Sequence, residues 1–258
     1  MKFRIVTGWS LCLLLLLNDT AGLKGQNSQS RWIINKQIEI VPLTEHAYLH
    51  ATCDSIPGFG WVWSNGLILV SGHKALLFDT PVSDANTEHL LTWLDDSLYA
   101  AVKGFIPNHW HTDCMGGINT LKHRGIPSYA NELTRELAQS KNLPVPDKGF
   151  TDSLNLQVGT LTATAYFLGA AHSMDNIVVW IPSEKILFGG CMVKALSSTT
   201  MGYTTDGDMN AWPITIGRVK EKFPDAQVVV PGHGDWGGKE LLDHTLDLLK
   251  TNSQNLKK

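Results

Sequence analysis

The segment from Asn108 to Gly117, Asn-His-Trp-His-Thr-Asp-Cys-Met-Gly-Gly, constrains this chain more than any other. His109, His111 and Asp113 occupy alternate positions in it. On an extended backbone alternate side chains share a face, so the three would point the same way. On a helix His109 and His111 would diverge by about 200°. Gly104–Ile106 reads as a short buried strand that Pro107-Asn108 ends, which favours the extended geometry. Gly116 and Gly117 then let the backbone turn tightly into a helix read over Gly116–Arg124, which Gly125 stops. Two imidazoles and a carboxylate converging in this way suit zinc. The competing reading is a chance His-x-His-x-Asp on a solvated loop. With this composition about 0.02 such matches are expected, which favours the metal.

Three distant residues add to that motif. His172 follows Gly169-Ala-Ala, Cys191 follows Phe188-Gly-Gly, and His233 lies in Pro231-Gly-His-Gly234. Each comes just after a run with strand character, where functional sites collect. Taken singly, each is more readily structural than a ligand. Taken with the first motif, they form a ligand set. His46, His50, His73, His89, His123 and His244 have no neighbouring ligand types and read as surface or core residues.

The remaining chain alternates short strands with helices. Ile38–Val41, Ala47–Ala51, Leu67–Val70, Ala75–Phe78, Asn155–Val158, Leu161–Phe167, Ile177–Ile181, Ile186–Gly189 and Gln227–Val230 read as strands. Asn86–Ser97, Asn131–Ser140, Trp212–Lys222 and Lys239–Lys250 read as helices, and Leu143–Asp152 as a connector. With 258 residues, 43% of them hydrophobic, there is material for a sizeable core. This order implies an α/β fold with sheets at the centre and helices outside. Periodicity does not give the sheet order. A net charge of -3 without any block of like charge argues against a nucleic-acid partner.

The N-terminus has the plan of a signal peptide. Lys2 and Arg4 precede the apolar stretch Ile5–Leu17, and small and polar residues follow from Asn18 to Gly22. Residues 1–25 are therefore read as the signal and 26–258 as one domain, an uncleaved anchor being the alternative. Export brings an oxidising compartment, yet the mature chain keeps an odd set of cysteines, Cys53, Cys114 and Cys191. A bound metal would account for a retained thiol.

Phe78-Asp-Thr-Pro81, Asn108–Gly117, Gly149-Phe-Thr-Asp-Ser153, Asp175-Asn-Ile-Val178, Leu187-Phe-Gly-Gly-Cys-Met192 and Val230-Pro-Gly-His-Gly234 resemble the metallo-β-lactamase superfamily, over about residues 36–250. Cys191 resembles the cysteine of its first subclass of class B zinc β-lactamases. The resemblance implies an αββα sandwich, two central mixed sheets with helices on the outer faces. It implies two zinc ions per chain, the first held by His109, His111 and His172, the second by Asp113, Cys191 and His233. Lys194 matches the anchor for the substrate carboxylate, and Asp113 the residue that orients the nucleophile and passes a proton. Phe59, Gly60 and Trp61 match the tip of a hairpin that closes over substrate, although Phe59 and Trp61 could instead pack on the core. Tyr203 stands where the subclass often has an asparagine that helps polarise the lactam carbonyl.

The implied activity is hydrolysis of the β-lactam amide bond of penicillins, cephalosporins and carbapenems by a metal-bound hydroxide. The implied protein is a periplasmic monomer acting on small molecules, without nucleic acid and without stable membrane association after signal cleavage. One rival is a thioester or ester hydrolase of the same fold. Thioester hydrolases of glyoxalase type usually carry a histidine where Cys114 stands and an aspartate where Cys191 stands. The other rival is an exported zinc-binding protein without catalysis.

Overall fold

The computed structural model describes residues 31–255. The signal peptide read over residues 1–25 lies outside the described residues. Two mixed sheets form the centre. The first has six strands in sequence order: β1 (Trp32–Asn35), β2 (Ile38–Pro42), β3 (Ala47–Ile56), β4 (Gly60–Ser71), β5 (Lys74–Phe78) and β6 (Ala101–Ile106). Neighbours run antiparallel except β5 and β6, which are parallel because helix α1 (Asp84–Ser97) makes the crossover. Ser83 caps α1 by accepting from the backbone N–H of Asn86.

After β6 come α2 (Thr112–Met115), α3 (Ile118–His123), β7 (Tyr129–Asn131), α4 (Glu132–Ser140) and β8 (Lys148–Phe150). The second sheet is built from β9 (Ser153–Val158), β10 (Leu161–Phe167), β11 (Ile177–Ile181), β12 (Ile186–Gly190) and β13 (Val228–Pro231), in the order β13-β12-β11-β10-β9. Helix α5 (Ala211–Lys222) connects β12 to the parallel β13, and α6 (Glu240–Asn255) closes the chain.

Three apolar layers hold these elements together. Leu67, Leu69 and Phe78 face Ala163, Val179, Ile186 and Phe188 between the sheets. Their neighbours in sequence, Ile68 and Leu77, point to the other face and pack with Leu90, Leu91 and Leu94 of α1 and with Leu121 of α3. Val178, Leu187 and Val229 likewise leave the second sheet for Trp212, Ile216 and Val219 of α5 and Leu242 of α6. The result is the αββα sandwich. Sheets covered on both faces explain why Val228–Val230 and Ile186–Phe188 read as continuous apolar runs. Each fully buried Leu, Ile or Phe contributes about 1.5–3 kcal/mol. Among the described residues no helix is long and apolar enough to cross a membrane.

Several elements differ from the sequence reading. The helix expected over Gly116–Arg124 is present as the shorter α3, Ile118–His123, and a separate turn of helix, α2, precedes it where an extended segment was expected. The connector Leu143–Asp152 contains β8, which pairs in parallel with β7. β3 and β4 run well beyond Ala51 and before Leu67, forming a long hairpin whose outer half carries little buried apolar surface. That half lies beyond the core, so no burial pattern marks it.

Candidate metal centre

All the candidate ligands stand where strands end along one edge of the sandwich. β6 delivers the segment from Asn108, β10 leads through Gly169 to His172, β12 leads into Cys191, and β13 into His233. The segment after β6 is fixed before the first histidine. The backbone N–H of Asn108 donates to the Asp79 carboxylate, and its side-chain amide donates to the carbonyl of Ile177. Asn176 donates to Asn108 Oδ1 at 2.9 Å, and the Trp110 N–H donates to Asp175 Oδ2 at 2.9 Å. Asp79 adopts a φ of 58° to present its carboxylate, a left-handed conformation that is costly for a residue with a Cβ.

The extended geometry expected of the motif does not hold for Asp113. His111 is extended and forms the N-cap of α2, but Asp113 lies in the first turn of that helix. The turn sends its carboxylate away from His109 and His111, towards Cys191 and His233. Gly116 and Gly117 serve close packing rather than a left-handed turn. A Cβ on Gly116 would come within 2.6 Å of the Thr112 carbonyl oxygen, and one on Gly117 would overlap Thr87.

Two triads result. His109 Nε2 lies 2.8 Å from His111 Nδ1, and His172 Nε2 lies 3.3 Å from the same atom. Asp113 Oδ2 is 3.1 Å from His233 Nε2, and Cys191 Sγ is 3.6 Å from Asp113 Oδ2 and 3.4 Å from His233 Nε2. Tetrahedral zinc with bonds of 2.0–2.3 Å separates its donor atoms by about 3.3–3.6 Å. Three of these five distances lie in that range, and the His109–His111 and Asp113–His233 pairs need to open by a few tenths of an ångström to take such an ion. The outward ring nitrogens of three histidines are engaged. His109 Nδ1 faces Cys114 Sγ at 3.1 Å and Asn108 Oδ1 at 3.3 Å, His111 Nε2 faces Asp206 Oδ2 at 3.0 Å, and His233 Nδ1 faces the Trp63 carbonyl at 2.8 Å. Partners of this kind fix ring orientation and leave the opposite nitrogen for a metal.

The electrostatics favour a cation. Burial, reinforced by His111 and His172, holds His109 well below the usual imidazole range, and burial together with Lys194 takes His172 to about 3. Both rings are thus neutral near pH 7, as ligation requires. In the other triad burial opposes charge on His233, yet Cys191 and Asp113 raise it well above its ordinary value. Burial also opposes ionisation of Asp113, but His233 and the other histidines hold its carboxyl far below the usual range. A hydrogen bond with Cys114 leads the causes that draw the Cys191 thiol down, while burial pushes Cys114 up. Two anions around one protonated imidazole make a place where a divalent cation can displace a proton. Cys53, Cys114 and Cys191 are all free.

A cleft of about 360 Å³ opens over the triads. Lys194 and Tyr203 line it, and from the β3–β4 hairpin so do Ile56, Phe59 and Val62. Lys194 Nζ sits 5.3 Å from the centre of the Trp212 ring. Burial lowers the pKa of Lys194, with Cys191 and Asp113 pulling the other way. Phe59 is 57% and Trp61 68% exposed, so neither packs on the core. Phe59 reaches the cleft, whereas Trp61 is not among the residues that line it. Asp206, facing His111, went unread in the sequence; its only local signal is a position between Gly202 and Gly207 in a loop.

No protein-family profile matches the chain. Among curated proteins it is 50% identical over 216 residues to the metallo-beta-lactamase type 2 of Bacteroides fragilis, covering 84% of this chain and 87% of that one. It is 37% identical over 213 residues to the metallo-beta-lactamase type 2 of Bacillus cereus, covering 83% of each. Among solved structures, the metallo-beta-lactamase from Pontibacter korlensis superposes with a TM-score of 0.79 at 39% identity, covering 83% of this chain and 99% of that one.

Proposed function

The chain belongs to the class B metallo-β-lactamases, and on that premise we propose that its site binds two zinc ions and opens the amide bond of β-lactam antibiotics, carbapenems as well as penicillins and cephalosporins. The single observation that carries this reading is the adjacency of the two triads beneath one cleft. His109, His111 and His172 hold the first zinc; Asp113, Cys191 and His233 hold the second. Zinc bound there supplies Lewis acidity and a water made nucleophilic at neutral pH.

The chain's own residues do the rest. In the net reaction the water oxygen bonds to the lactam carbonyl carbon, the carbon–nitrogen bond breaks, and a proton moves to the nitrogen. Asp113 orients the water and carries that proton. Lys194, from the lining of the cleft, sets a positive charge against the substrate carboxylate. Phe59 covers the bound ring from the hairpin and limits access of solvent. Neutral His109 and His172 keep their ligating nitrogens free of protons through the neutral range. The protein works in the periplasm as a monomer, after removal of residues 1–25.

A chromogenic cephalosporin and a glutathione thioester, each assayed with and without a chelator, test the reading. The cephalosporin should be opened, the chelator should abolish this, and added zinc should restore it. Turnover of the thioester alone would overturn the proposal in favour of a thioester hydrolase.

A further inference from the structure

Tyr203 occupies an unusual position between two parts of the site. Its phenol O–H donates to Asp206 Oδ2 at 3.0 Å, and that same oxygen stands 3.0 Å from His111 Nε2. His111 turns Nδ1 towards His109 and His172, so Nε2 is the nitrogen left to donate to Asp206. A phenol has one proton to donate, and in this structure Asp206 receives it. The other end of the residue faces the hairpin. The Tyr203 ring meets Phe59 edge-on, with centroids 5.5 Å apart and planes at 89°. Gly202, at a φ of 66°, turns the chain immediately before it, and nothing lies within 4 Å of the space its Cβ would fill.

We propose that Tyr203 is a positioning residue. Its hydroxyl holds Asp206 against His111, while its ring docks the Phe59 tip of the hairpin, so one side chain joins the cover of the cleft to the support of a histidine in the first triad. The inference rests on the metal reading of that triad. It replaces the asparagine-like role of a donor to the lactam oxygen with a hydrogen bond one residue behind the ligand. Partners of ligating histidines govern metal affinity and activity, because they fix the ring's tautomer and angle. A residue one step further out should act in the same direction with a smaller effect. The edge-on aromatic pair adds an attraction between loop and hairpin that an asparagine at 203 would lack.

The two halves separate by substitution. Cobalt-loaded wild type, Tyr203→Phe, Tyr203→Ala, Asp206→Asn and the double variant Tyr203→Phe/Asp206→Asn are titrated with a competing chelator. The d–d bands of an all-nitrogen site follow the first triad, and the thiolate charge-transfer band follows the second. Tyr203→Phe should weaken the first triad about three- to tenfold, leave the second unchanged and keep KM for a cephalosporin. Tyr203→Ala should show the same metal loss and in addition raise KM, since the contact with Phe59 is gone. In the Asp206→Asn background Tyr203→Phe should change little, because its target is already altered. Equal metal affinity in wild type and Tyr203→Phe overturns the inference and leaves the site assignment standing. A wild type that binds no cobalt at either triad overturns that assignment and the inference with it.

Discussion

Gly232 lies against Cys191 so closely that a Cβ on it would overlap the thiol sulfur and stand 2.7 Å from the Cys191 backbone nitrogen. The contact joins the ends of β12 and β13, two parallel strands that deliver Cys191 and His233 to the same triad. Asn65 reinforces it from β4, its amide donating to the carbonyls of Pro231 and Gly234 at 2.9 and 2.8 Å. Gly232→Ala should therefore push the thiolate out of the second triad while the sandwich stays folded. The expected result is a second-site metal affinity lower by about 10–100-fold, read from the cobalt–thiolate band, with far-ultraviolet circular dichroism unchanged. An unaltered band would mean that the two strand ends move apart easily.

Lys194 lines the cleft, and the proposed function gives it the substrate carboxylate to bind. On that reading Lys194→Glu replaces attraction of the substrate carboxylate by repulsion. KM for several β-lactams should rise by more than about tenfold at constant metal content, with a smaller change in kcat. Unchanged KM across those substrates would place the anchor elsewhere.

The parts of the site that could be read from the sequence are those whose signal is local. His109, His172, Cys191 and His233 each follow an apolar run, and the glycines beside the last three mark tight approaches. The supporting groups leave no such trace. Asp79 and Asn108 are 29 residues apart, and His111 and Asp206 are 95 apart, so their hydrogen bonds exist only after the sheets have packed. The extended reading of the motif placed His109 and His111 together but misdirected Asp113, because side-chain alternation is lost where α2 begins. In the fold, central sheets with helices outside followed from the alternation of short strands and helices, and the αββα sandwich from the family resemblance. The outer half of the β3–β4 hairpin did not, since its pairing is set by the continuing register from Ala51↔Asn65 to Ile56↔Gly60 rather than by burial.

His50 supplies a pH dependence away from the ligands. It is buried on β3 with Nε2 3.2 Å from the Asp79 carbonyl, and a Cβ on the facing Gly66 would overlap its ring. Burial lowers its pKa to about 4, against the pull of the Asp79 and Phe78 carbonyls. The unfolded chain, near 6.5, binds the proton first, so stability is lost as pH falls from about 6.5 to about 4 and is intact above that window. The loss should approach about 3 kcal/mol. Denaturant melts of metal-free wild type and His50→Gln between pH 7 and 4 check this. The stability advantage of wild type should shrink by about that amount, because the groups common to both cancel. A constant difference would mean that His50 titrates alike in both states.

The central claim is that two adjacent metal triads perform β-lactam hydrolysis, and the direct test is a zinc titration of metal-free protein with cephalosporin ring opening followed at each addition. Bound zinc should approach two per chain, with hydrolysis rising until both triads are filled. Full activity at one equivalent, or two equivalents bound without ring opening, would contradict the account.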